Sequence, residues 1–374
     1  MPLGPFALQW RAPSPNPPPP TDTLPDGISR FYIPTSSGPL ELLTALPSSQ
    51  TSSTTRPPLF FAHGGFGCAS VWITYMQFFA SKGYPCYAMS YRGHGKSWYP
   101  GFWRMYFTTR GTIAEDLAAG VRHVEEIETK RRSVEGSNVE EEGEGRTRVV
   151  LIAHSAGGAL SQYALSRGLV KVQGFCMFAA VPGFGSFSCY SFWALKVPIH
   201  FPYRFFHSKY LMITTSQVKD AFFTASTPNS VVEDLERLLS PYESMLWPVQ
   251  ALFRFVTGPD VLSSITGWSV RRKSGEGRES QSRSSNVSQR MLVLAADKDV
   301  LCKPVVLEDA AKRYRDAFRE MVKAKKVDGV SEDDLMRDDG AVGFKVVEGL
   351  AHHLQNHVEW ERGAAALLGW VEKL

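Results

Sequence analysis

Short, almost wholly apolar runs punctuate this chain, and each is cut off by glycine, histidine, serine or aspartate. Leu59-Phe60-Phe61-Ala62 ends in His63-Gly64-Gly65, Val149–Ala153 ends in His154-Ser155-Ala156-Gly157-Gly158, and Met291–Ala296 runs into Asp297-Lys298-Asp299. Such runs read as strands buried on both faces. Tyr84–Ser90, Val172–Val181 and Gly343–Val347 add further strands, and Arg30–Ile33 with Leu40–Ala45 forms an opening pair around a Ser-Ser-Gly-Pro turn. Helical periodicity falls between them, over Ser70–Ser81, Thr112–Thr129, Ala159–Arg167, Val305–Lys323 and Val358–Lys373. This alternation predicts an α/β fold with a mostly parallel central sheet flanked by helices on both faces.

The alternation is interrupted in a few places. Residues 1–27 include nine prolines and are expected to be a disordered, extended tail. Residues 28–185 and 290–374 carry the two parts of the core. Between them, residues 186–268 read as an inserted, mainly helical lid, with helices near Ser216–Thr224, Ser230–Leu239 and Trp247–Phe255. Residues 269–289, with seven serines and seven charges, read as a flexible linker. The charged stretch 130–146 and the polar stretch 324–341 are expected to be loops.

A length of 374 residues suits one large catalytic domain with insertions, and 43% hydrophobic with 21% charged residues excludes a wholly disordered or collagen-like chain. The net charge of +4 comes with no basic stripe interleaved with aromatics on a regular element, so nucleic acid is not an expected partner. Five scattered cysteines without a C-x-x-C suggest neither a zinc site nor a disulfide framework, and free thiols fit a reducing compartment. The run Leu3–Leu8 is broken by Gly4 and Pro5 and lacks a basic start, so it is not read as a secretory signal, and the expected location is cytoplasmic. The final Glu372-Lys373-Leu374 differs from the peroxisomal tripeptide at its first residue and is read as chance. Residues 174–195 hold no charge, but Gly174, Pro182, Gly183, Gly185 and three serines make them a buried strand with a turn rather than a transmembrane segment.

The most informative segment is Ala153-His154-Ser155-Ala156-Gly157-Gly158. A strand must turn abruptly into a helix there, which holds the central residue in a strained conformation with its side chain at the sheet's end. Ser155 becomes a candidate nucleophile at a helix start, where backbone N–H groups face an incoming anion. The bland alternative is a helix N-cap serine. A serine hydroxyl needs a base, and histidine has the suitable pKa. His352, after the last strand, can hang back over the sheet edge; His353 and His357 compete but read as solvent-facing. His63 and His154 abut the motifs and read as structural, and His94 has no assigned role. The imidazole needs an acid, for which Asp299 is the candidate and Asp297 the alternative; either alone would read as a turn aspartate.

The order Ser155, Asp299, His352 is that of the α/β-hydrolases. Four motifs carry the resemblance: His63-Gly64-Gly65, Tyr91-Arg92-Gly93-His94-Gly95-Lys96-Ser97, the turn at Ser155, and Gly349-Leu350-Ala351-His352. The chain resembles lid-bearing serine hydrolases of that superfamily, especially esterase, monoacylglycerol-lipase-like and serine-aminopeptidase-like members. It departs from their pattern at Ala153 and Ala296, where glycine is usual. The resemblance implies an oxyanion hole built from the backbone N–H groups of Gly65 and Ala156, with Phe66 as a substitute donor in another loop register.

Serine rather than aspartate at the turn implies acyl transfer through a covalent intermediate, with no metal or organic cofactor. The leading expectation is hydrolysis of a carboxylic ester. Thioester, lactone or peptide-type hydrolysis, acyl transfer, C–C cleavage and a non-catalytic ligand-binding protein are the rivals. Residues 184–206 contain nine aromatics, among them Phe184, Phe187, Tyr190, Phe192, Trp193 and Phe201. They fit an apolar tunnel for a small-molecule substrate, the lid's own core, or contact with a lipid surface.

Overall fold

The computed structural model describes residues 11–17, 22–48, 56–134, 147–272, 285–337 and 340–374. Eight strands form one sheet: β1 (Ser29–Ile33), β2 (Leu40–Ala45), β3 (Leu59–Ala62), β4 (Cys86–Met89), β5 (Val150–His154), β6 (Gly174–Phe178), β9 (Met291–Ala296) and β10 (Val342–Val347). Two short strands, β7 (Val270–Arg272) and β8 (Ser285–Val287), pair separately and antiparallel. The sheet order is β1-β2-β4-β3-β5-β6-β9-β10. Strands β3 to β10 of this sheet are mutually parallel, and β2 runs antiparallel to both its neighbours.

The central strands β3, β4, β5, β6 and β9 are buried along their whole length, as their unbroken apolar runs require. Helices cover both faces. On one, α3 (Arg110–Val134), α4 (Ser155–Ser166) and α10 (Pro304–Lys323) bury Leu117, Leu160 and Tyr314. On the other, α1 (Ile73–Ser81) and α12 (Trp360–Val371) bury Phe79 and Leu367. Register sets the site. Ala62 of β3 lies opposite Met89 of β4 and Ala153 of β5, and Ala296 of β9 opposite Val347 of β10. The loops after these strands therefore open at one carboxyl edge of the sheet, where open α/β sheets place ligands.

Several expectations need adjustment. Part of the proline-rich stretch is packed: Ser14 exchanges backbone hydrogen bonds with Tyr99 at 2.7 and 2.8 Å, Arg11 stacks over the Tyr99 ring, and Asp22 pairs with Arg30. Residues 1–10 and 18–21 lie outside the described residues. Helix α3 runs on to Val134, past the expected start of the loop, because Arg131 and Arg132 bridge back to the buried Glu128; residues 135–146 lie outside the described residues. The expected linker 269–289 begins and ends in β7 and β8, with 273–284 outside the described residues. Helix α11 (Glu332–Arg337) occupies part of the expected loop 324–341.

Between β6 and β9 the chain is mainly helical before the β7–β8 pair. After a 3-10 turn over Phe187–Trp193 come α5 (Val197–Tyr203), α6 (Thr215–Phe222), α7 (Asn229–Leu238), α8 (Leu246–Ala251) and α9 (Gly258–Leu262). The short helix α2 (Phe102–Tyr106) packs near them, with its Phe102 ring against Tyr242 and His207. Helices α6, α7 and α8 fall in or overlap the expected helical stretches; α2 and α9 are five residues long, and α5 is interrupted by Pro198 and Pro202.

Candidate active site

Ser155 is the first residue of α4 and has φ of 51°, in the left-handed region that a non-glycine residue seldom occupies. The tight turn is possible because its surroundings are stripped of side-chain atoms. A Cβ on Gly157 would lie 2.2 Å from the carbonyl oxygen of His63, and one on Gly64 would lie 2.8 Å from the Ser155 Cβ. The loop after β3 and the start of α4 thus pass closer than any other residues would allow.

The Ser155 hydroxyl lies 2.8 Å from His352 Nε2. His352 Nδ1 lies 2.8 Å from Asp299 Oδ2. The other Asp299 oxygen accepts the backbone N–H groups of Leu301 and Cys302 at 2.8 and 2.9 Å. With a carboxylate on Nδ1, the imidazole carries its proton there and leaves Nε2 bare to accept from the serine. Asp299 and His352 are buried. Asp297 faces elsewhere: it accepts the Gly349 N–H at 2.7 Å and pairs with Lys298. Sequence position alone left the two aspartates open, and the turn geometry after β9 separates them.

The neighbouring histidines are buried and structural in their contacts. His154 Nε2 donates to the His352 carbonyl at 2.9 Å, and His63 Nδ1 donates to the Gly64 carbonyl at 2.8 Å. Burial pushes both below the ordinary histidine pKa, with nearby histidines adding to the effect. The expectation that His353 and His357 face solvent is wrong. His353 is 3% and His357 5% exposed, because the chain after α6 folds over them. His353 N–H donates to the Phe222 carbonyl, and His357 Nε2 contacts Thr224 and Thr227. Burial pulls the His353 pKa down to about 3.

Gly65 and Ala156 sit side by side at the serine: a Cβ on Gly65 would be 3.8 Å from the Ala156 Cβ. The Ala156 N–H belongs to the first helical turn, which has no intrahelical acceptor behind it. The Phe66 N–H, weighed above as a substitute donor, is taken by the Glu243 carboxylate at 2.8 Å. His94 also binds Glu243, at 3.0 Å. Sequence reading missed Glu243 altogether, since it lies in no motif; His94, inside the Tyr91–Ser97 motif, was the one available signal.

A cavity of about 400 Å³ opens on Ser155, His352, Gly65 and Ala156. Its wall is largely apolar, including Tyr190, Trp193, Phe201, Leu211, Phe222 and Trp247. The aromatic-rich stretch therefore divides. Tyr190, Trp193 and Phe201 line the cavity, Phe184 packs on Tyr314 at 4.8 Å, and Phe187 is 75% exposed. Among the described residues, Asp299, Cys302 and His352 are the group whose ligand-type atoms gather within 4.8 Å, as a metal would need. The Asp299 and His352 atoms are already bonded to each other, to Ser155 and to backbone, and the hydrogen bond to the Cys189 sulfur 4.0 Å away, together with burial, pushes the Cys302 thiol pKa up. The polar atoms of Asp299 and His352 are thus already engaged within the protein.

A family model described as the alpha/beta hydrolase family matches residues 59–359, which is most of the chain. The chain belongs to the alpha/beta hydrolase family. No curated protein sequence matches this hydrolase. Among solved structures it is similar to an esterase from Thermogutta terrifontis, with 14% identity over 92% of this chain and 98% of that one and a TM-score of 0.55. It is also similar to an esterase from Exiguobacterium antarcticum, with 16% identity, 91% and 98% coverage and a TM-score of 0.55. Carboxylesterase CesB from Bacillus subtilis shares 14% identity over 93% of this chain and 92% of that one, with a TM-score of 0.52. At such identities the likeness concerns the fold. Among the described residues of this hydrolase, no helix is long and apolar enough to cross a membrane.

Proposed function

We propose that this protein is a serine hydrolase that cleaves carboxylic esters through an acyl-enzyme. The observation carrying the reading is the continuous hydrogen-bonded chain from Asp299 through His352 to Ser155, at 2.8 Å per step, at the mouth of an apolar cavity. Ser155 Oγ attacks the ester carbonyl as His352 Nε2 takes its proton. The oxyanion is received by the N–H groups of Gly65 and Ala156. The protonated His352, steadied by Asp299, then gives its proton to the departing alkoxide. Water then attacks the acyl carbon as His352 Nε2 takes its proton, and the C–Oγ bond breaks as that proton returns to Ser155 Oγ and the acid leaves. The esterases that share the fold agree with this reading.

The cavity wall supports a substrate with a sizeable apolar acyl or alcohol group. The outer face of the 186–268 segment supports contact with lipid, since Leu195 is 88% and Ile199 66% exposed. The deciding experiment is a fluorophosphonate labelling assay run beside a panel of esters, thioesters and lactones. Wild type labels and turns over longer-chain esters best, and Ser155→Ala does neither. Wild type that does not label is a binding protein on this fold, and a preference for acetate removes the apolar-substrate reading.

A further inference from the structure

We propose that Glu243 is a positioning residue for the oxyanion loop, held in place by a proton it shares with His94. The inference rests on the ester-hydrolase reading above. Glu243 lies between α7 and α8 and is only 5% exposed. A carboxylate buried that deeply must be bonded and compensated. Glu243 Oε2 accepts the Phe66 N–H at 2.8 Å and lies 3.0 Å from His94 Nε2; Oε1 accepts the Ser244 N–H at 2.7 Å.

Phe66 follows Gly65 directly and has φ of 60°, a conformation an aromatic residue keeps only where its surroundings impose it. Both of its backbone polar groups are gripped from the same short segment. Its N–H goes to Glu243, and its carbonyl accepts the Ser240 N–H at 2.7 Å. Gly65 lies between that grip and the serine turn: a Cβ there would be in ordinary contact with both, 3.7 Å from Glu243 Oε2 and 3.8 Å from the Ala156 Cβ. The carboxylate thus fixes the peptide next to the one whose N–H would meet the oxyanion.

Proton counting gives the pair its second property. His94 Nδ1 lies 2.9 Å from the Arg92 carbonyl, which can only accept, so Nδ1 carries a hydrogen. Nε2 faces a carboxylate oxygen that already accepts from Phe66. Without a proton between them, two lone pairs would confront each other. The pair therefore holds one proton and is neutral overall, which spares the developing oxyanion a bare carboxylate at its side. Burial pulls the His94 pKa down, but the Glu243 charge and hydrogen bond, with the Arg92 carbonyl and Asp116, outweigh it and raise the pKa. The other titratable groups facing the pair are His63, Tyr91 and Tyr190. As pH rises through the His94 pKa the shared proton is lost, and the loop loses its brace.

The test is steady-state ester hydrolysis between about pH 6 and 10 by wild type, Glu243→Gln and His94→Gln, with thermal melts of each. A glutamine at 243 cannot serve Phe66, His94 and Ser244 together, because one end of its amide donates and it carries no charge to hold the proton on His94, and a glutamine at 94 leaves the carboxylate uncompensated. Each folded variant is expected to lose roughly 10- to 100-fold in kcat with little change in KM, the scale of a small misplacement at a reacting centre. Wild type is expected to show an alkaline fall in kcat, and that fall should disappear in Glu243→Gln. A folded variant with wild-type kcat, or with the wild-type alkaline limb intact, overturns the proposal. If Glu243→Gln does not fold, His94→Gln decides. Wild type that neither hydrolyses esters nor labels with fluorophosphonate takes down the hydrolase reading as well, and so separates the two failures.

Discussion

Two aspartates two residues apart illustrate what a single turn decides. Asp299 holds His352 through one oxygen and two backbone N–H groups through the other, so its carboxylate cannot swing away. Asp297 instead ties the β9 loop to Gly349. Asp299→Asn should therefore keep the fold and lower kcat by roughly 10⁴-fold, the scale known for a triad aspartate replaced by its amide. The amide would donate to His352 and force the wrong tautomer. Asp297→Asn should cost far less, because its amide oxygen still accepts from Gly349. Parallel turnover assays on the two variants decide the assignment, and a larger loss in Asp297→Asn reverses it.

At the scale of elements, the segment between β6 and β9 presents two faces. Val197 and Phe201 of α5 turn into the cavity, whereas Leu195, just before the helix, and Ile199, on its other side, face outward. A seven-residue helix with an exposed apolar side beside Lys196 has the composition of an interfacial contact. Wild type is expected to co-sediment with anionic phospholipid vesicles. The double variant Leu195→Ser, Ile199→Ser should bind much less while hydrolysing a soluble short ester at an unchanged rate, since neither side chain reaches the cavity. Equal sedimentation of the two proteins would argue against a lipid-facing surface. The same segment explains why His353 and His357 are buried. Their local sequence is polar, and the packing of Phe222 and Phe223 above them, with Thr224 and Thr227 beside His357 and His154 beside His353, removes them from water.

Across the whole molecule, neutral buried histidines set how stability responds to acid. Burial is the leading cause of the lowered pKa values of His63, His154, His207 (about 4) and His353 (about 3). In the unfolded chain each takes up a proton as pH falls through about 6.5. In the folded protein each resists protonation until lower pH. The unfolded state then binds more protons, so the stability these four histidines contribute is full above about pH 6.5 and falls as pH drops towards 4. Melting temperatures measured at pH 7.5 and 4.5 should differ clearly, with the acid value lower. Equal values would mean that these imidazoles are not shielded from water.

Much of this protein was legible from local order alone. Apolar runs of four to six residues must be buried strands, and the Ala153–Gly158 turn must present a side chain, because backbone sterics act over a few neighbours and leave their mark in adjacent residues. The eight-stranded sheet, its parallel core and the candidates Ser155, His352 and Asp299 follow from such marks. Other features belong to the folded molecule only. The separation of Asp299 from Asp297, the burial of His353 and His357, and the grip of Glu243 on a loop 177 residues away depend on which distant segments meet. A hydrogen bond or a buried charge between remote residues has no local periodicity and no neighbouring signature, so only tertiary packing, which sets distance and excludes water, could decide it.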